Sequence, residues 1–89
     1  TEARHGCFNA AGTVVAGSGF TVGVVGKVYT VTYGAAMGAS SYTLVMDARA
    51  STGRSLAMGA TTAASNAVLT VGWTEATETV SSICFMAAR

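Results

Sequence analysis

The chain has 89 residues, 51% of them hydrophobic and only 10% charged, against a usual charged share of about 25%. That length holds one domain with a thin core, and five cations against four anions give no basic patch for nucleic acid. No apolar run reaches the roughly 18 residues of a membrane-spanning helix, and no basic segment precedes an apolar block as in a secretory signal, so the chain is expected not to be membrane-embedded.

Alternation with period two dominates the sequence, which is rich in Val, Thr and Tyr and lacks Pro; both features favour strands. In chain order, strands are predicted at Arg4 to Phe8, Thr13 to Ala16, Phe20 to Val25, Val28 to Tyr33, Ser41 to Ala48, Ser55 to Thr61, Ala67 to Trp73 and Val80 to Ala87. The fourth is the clearest: Tyr29, Val31 and Tyr33 share one face, and Thr30 and Thr32 the other. In the last, Ile83 and Phe85 stand opposite Ser82 and Cys84. The segment Ser55 to Asn66, rich in Ala and Met, could instead hold a helical turn. About eight short strands at regular spacing give the expected fold class, an all-β, small antiparallel β-sandwich, forming a single domain over residues 1–89.

Gly-, Ser- and Asn-rich turns separate these strands. If consecutive strands alternate in direction, loops 9–12, 26–27, 49–54 and 74–79 share one end, hereafter the far end. Loops 17–19, 34–40 and 62–66 share the other, the near end. The far loops hold Lys27, Arg49, Arg54, Glu75 and Glu78, while the near loops hold no charge. Charges stay where water remains, so the far end is expected to be solvated and the near end to pack against something.

Groups able to do chemistry are sparse. His5 is the single histidine, and the carboxylates are Glu2, Asp47, Glu75 and Glu78. Ser18 lies in Gly17-Ser18-Gly19, one position short of a nucleophile elbow. His5 and Cys7 are two ligand types on one strand face, fewer than a tetrahedral metal site requires. No glycine run precedes a helix as in a phosphate loop. No enzyme, metal or cofactor is expected. Cys7 and Cys84 lie near opposite ends of the chain; a bridge between them would stabilise by roughly 4 kcal/mol. Two free buried thiols are the favoured expectation in the absence of a secretion signal.

The order Cys7-Phe8-Asn9, a Gly-rich turn, Phe20-Thr21-Val22, Gly26, Tyr29 to Tyr33, Ala36-Met37, Ser41-Tyr42 and a close at Cys84-Phe85 and Arg89 resembles the C-terminal domain of many phage tail fibres. It departs from that pattern after Asn9, which Ala10-Ala11-Gly12 follow, and in the Ala- and Met-rich stretch Ser55 to Ala64. The resemblance implies a small β-rich head that forms a homotrimer at the distal tip of the fibre in the virion and contacts the host surface. A start at Thr1 rather than Met fits the C-terminal piece of a longer fibre protein.

The functional expectation is therefore a non-enzymatic tip domain that binds a bacterial surface glycan or an outer-membrane protein. A purely structural trimerisation or capping domain is the alternative. Receptor-binding residues are expected among Arg49, Thr52, Arg54, Trp73, Glu75 and Glu78. The two arginines would grip anionic groups through their planar forks, and Trp73 would stack on a sugar ring or pack in the core.

Overall fold

The computed structural model describes residues 3–72 and 79–89. The elements are β1 (Ala3–Asn9), β2 (Val14–Gly17), β3 (Phe20–Val25), β4 (Val28–Tyr33), β5 (Thr43–Ala50), β6 (Ser55–Leu56), β7 (Met58–Thr62), β8 (Asn66–Val71) and β9 (Val80–Ala88). They form two antiparallel sheets, one ordered β2-β1-β9-β5-β6 and the other β3-β4-β8-β7. No helix occurs among the described residues, so the helical turn allowed at Ser55 to Asn66 gives way to strand.

The strand expected at Ser55 to Thr61 is in fact two strands. Its first part, β6, pairs with β5 in the first sheet. After Ala57, its second part, β7, pairs with β8 in the second sheet. The chain thus steps from one sheet to the other without a turn, and the Ala57 carbonyl accepts the Gly72 amide at 2.9 Å where it does so. Because β6 and β7 run on in one direction, the extra strand leaves the expected alternation of loops intact.

Alternation supplies the core. Phe8, Ile83, Phe85 and Ala87 point inward from the first sheet, and Phe20, Tyr29, Val31, Ala67, Leu69 and Val71 from the second; all are buried in one cluster. Ring contacts cross the gap. Phe20 meets Phe85 edge to face with centroids 4.9 Å apart, and Phe8 lies 5.7 Å from Tyr29. The two sheets therefore share one interior, an arrangement compatible with a small β-sandwich. The chain exposes 4684 Å², close to the roughly 4,800 Å² expected of a compact monomer of its mass.

Two glycine environments differ. A Cβ on Gly6 would stand 2.3 Å from the Phe20 ring and 2.8 Å from the Ala16 carbonyl oxygen, so the aromatic packing there requires a bare backbone. Gly23 in β3 and Gly59 in β7 have nothing within 4 Å of an added Cβ. Neither has a positive φ, and the pairings around them are regular. Interior packing asks for neither glycine, although each weakens its strand by roughly 0.5–1 kcal/mol relative to Ala.

At the near end, Tyr42 ties three segments together. Its hydroxyl lies 2.8 Å from that of Tyr33 and 3.0 and 3.1 Å from the carbonyl oxygens of Ala63 and Asn66. With one proton of its own, Tyr42 donates to the carbonyls and accepts from Tyr33. Burial and this donated bond raise the Tyr33 phenol above its ordinary value of 10.0, and burial raises Tyr29 as well.

The expectation of two free, buried thiols is corrected. Cys7 and Cys84 are directly opposed in the β1–β9 ladder, with Cα atoms 4.0 Å apart and their sulfurs bonded. Both are half-buried on the outer face of the first sheet. Strand order explains this: the first and last strands are neighbours, and equal phase puts both side chains on one face.

Two predictions follow from these contacts. A phenol whose folded value is raised keeps its stabilising proton below the unfolded value near pH 10 and loses it as the pH climbs through the folded one. The thermal midpoint should therefore fall as pH rises above about 10, less steeply in Tyr33→Phe; an identical slope in that variant would contradict the assignment. Reduction of Cys7–Cys84, which closes 77 residues, should lower stability by up to about 4 kcal/mol while leaving the β-sheet circular dichroism in place. Urea titration with and without reductant measures it, and coincident curves would show a bridge without energetic effect.

Candidate functional site

Backbone bonds verify the two ends. At the near end, the Gly34 amide donates to the Gly19 carbonyl at 2.7 Å and Met37 to Ala64 at 2.7 Å, and Thr62 Oγ1 donates to the Ser40 carbonyl at 2.9 Å. At the far end, Val71 donates to the Lys27 carbonyl at 3.0 Å and Ser51 to Thr79 at 2.8 Å, with the Thr79 amide returning to Ser51 Oγ at 3.2 Å. The near-end loops thus bond to one another, and at the far end the 49–54 loop bonds to Thr79 and Lys27 to the end of β8, as alternation requires. The near end is not free of charge, however. Arg4 reaches from β1 to the Ala35 carbonyl at 3.0 Å, and Arg89 follows directly on β9. Both sit at strand termini, outside the near-end loops.

Short-range wiring stiffens the far end. Asn9 Oδ1 accepts the amides of Ala11 and Thr13, and its carbonyl accepts Gly12 at 2.9 Å, so the β1–β2 turn is held by one side chain. The β5–β6 turn closes with Gly53 donating to Ala50 at 2.9 Å and Ala50 to Arg54 at 2.8 Å. Its tightness uses the positive φ of Gly53, 89°. Thr52 and Arg54 are exposed on this turn.

Arg49 sits near the end of β5 on the outer face of the first sheet. Its Nε donates to Asp47 Oδ2 at 3.2 Å, and its fork lies 3.5 Å from the Gly53 carbonyl. Residues two apart on a strand share a face, so this pair was legible in the sequence and offsets much of the charge of Arg49. Arg49, Thr52 and Arg54 are thus gathered around one turn, and Lys27 stands at the same end. Trp73, Glu75 and Glu78 lie outside the described residues.

One feature was missed. Beside Asp47, the outer face of the first sheet carries a shallow depression of about 200 Å³ lined by Val45, Met46, Asp47, Cys84, Phe85 and Met86. Val45 and Met86 are cross-strand partners and are 53% and 49% exposed; His5 flanks them across β9. The signal was available: both residues occupy the outward phase of their strands, where alternation calls for polar side chains. Asp47 joins this apolar row to the arginine turn, and the combined surface can hold a ligand with one apolar and one anionic part. Among the described residues, no group of three or more His, Cys, Asp or Glu side chains is placed to hold a metal ion. No family model, curated protein or solved structure matches the chain.

Both partners of the Asp47–Arg49 pair are more than half exposed, and exposed pairs contribute about 0–1 kcal/mol. Asp47→Asn and Arg49→Ala should therefore each shift stability in urea by less than about 1 kcal/mol. A larger loss would assign the pair a structural role and remove it from the binding surface.

Proposed function

We propose that this chain is a non-enzymatic tip domain of a phage tail fibre, assembled as a homotrimer and attaching to a glycan or outer-membrane protein on the bacterial surface. The observation that carries the reading is the far end. There, tightly bonded turns on a two-sheet body gather Arg49, Thr52 and Arg54 around one turn, and Lys27 stands on another turn at the same end. Rigid turns lose little freedom on binding, arginine forks suit the carboxylates and phosphates of acidic surface glycans, and three copies raise weak contacts to useful avidity. The order of motifs from Cys7 to Arg89 supports the same reading from the sequence side, and the scarcity of acid–base groups argues against catalysis.

The second reading, a structural cap that registers a fibre, draws on a different observation. The outer face of the sheet β3-β4-β8-β7 carries no charged residue in its described strands, as suits a surface covered by protein.

Adsorption to bacteria separates the two. Labelled chain is applied to a panel of encapsulated and rough Gram-negative strains, with Arg49→Ala/Arg54→Ala alongside. The adhesion reading expects saturable binding to some strains and at least a tenfold loss in the double variant, about 1.4 kcal/mol. Binding to no strain favours the cap; unchanged binding by an intact variant removes the arginines from the site.

A further inference from the structure

We infer that reduction of the Cys7–Cys84 bridge opens a site for one copper(I) ion, held by His5 and Cys7 of β1 and by Cys84 and Met86 of β9. The inference goes beyond the attachment reading and does not depend on it.

Strand register carries the argument. His5 and Cys7 are two residues apart on β1 and share a face, as do Cys84 and Met86 on β9. The β1–β9 ladder sets Cys7 against Cys84 and His5 against Met86. Four side chains with metal-binding atoms thus stand at the corners of one rectangle on the outer face of the larger sheet. Its short edge is the 4.0 Å between the cysteine Cα atoms, the close spacing of a non-hydrogen-bonded pair. That pair type recurs at every second residue, so His5 and Met86 form the same narrow kind of pair. The long edge is two residues of strand, about 6.6 Å. The spacing His5-Gly6-Cys7 offers only two ligands, and strand pairing supplies the other two.

Access and donor chemistry point the same way. His5 is exposed, both cysteines are half-buried, and Met86 is 49% exposed, so a thiol reaches the bridge from solvent. Two thiolates, a thioether and an imidazole are a soft donor set, and thiolate and thioether ligands suit copper(I). The thioether argues against zinc, whose sites use thiolate, imidazole and carboxylate. Asp47 faces Cys84 from β5, but its carboxylate is a hard donor and is engaged by Arg49 at 3.2 Å. With the bridge closed, the two cysteines are withheld as ligands.

The gate is a thiol–disulfide exchange. A thiolate of a dithiol reductant attacks one bridge sulfur, and the Cys7–Cys84 bond breaks. The reductant leaves as its own cyclic disulfide, having passed two electrons and two protons to the cysteines. Copper(I) then displaces both thiol protons and binds the two thiolates.

The test compares the bridged chain with chain reduced by a dithiol, then freed of it by gel filtration without oxygen. Copper(I) is offered as its coloured bicinchoninate complex, which fades as protein takes the metal. The reduced chain is expected to take up one ion per chain, and the bridged chain none. Equal uptake by both forms, or by neither, overturns the site. His5→Ala and Met86→Leu lie on the exposed face and should each weaken binding by about tenfold or more, since changes to outer-shell partners alone already cost that much. Unchanged affinity in either variant removes that residue and overturns the four-ligand site. Uptake of zinc(II) in preference to copper(I) overturns the choice of metal. The rectangle exists only while β1 and β9 stay paired. A reduced chain that loses its β-sheet circular dichroism, and does not regain it with copper(I), therefore also overturns the inference. Adsorption of the bridged chain to bacteria reports separately on attachment.

Discussion

The pairing of the first strand with the last is the constraint on which the rest depends. β9 lies between β1 and β5, so the middle of the larger sheet is the final segment of the chain. Seven register pairs join β1 to β9, from Ala3 opposite Ala88 to Asn9 opposite Ser82, and the Cys7–Cys84 bridge lies within them. Ile83 and Phe85, which this pairing brings inward, supply the ring and branched surface that Phe8 and Phe20 pack against. Loop-closure entropy over nearly the whole chain must be met before these contacts form. A bridge at that point cuts the same entropy from the unfolded ensemble.

What the sequence revealed depended on how locally each feature is encoded. β3 and β4 are found where they were expected, Phe20–Val25 and Val28–Tyr33, because alternation, β-branched residues and the Gly26-Lys27 turn all agree there. β5 begins two residues later than expected, at Thr43. Tyr42 continues the phase of the strand, but its hydroxyl is engaged by Ala63 and Asn66, which no local pattern records. The step between sheets at Ala57 was invisible for a related reason: Leu56 and Met58 keep one phase, so alternation continues unbroken while the pairing partner changes.

The candidate site shows the same division. The Asp47–Arg49 pair is a two-residue spacing on one strand and could be read directly. The grouping of Arg49 with Thr52 and Arg54 also followed from a single turn. The Val45–Met86 row could not be read this way, because its members lie 41 positions apart and meet only through the β5–β9 register. The bond between the cysteines was likewise hidden. Strand order placed them close, but composition carries no information about their oxidation.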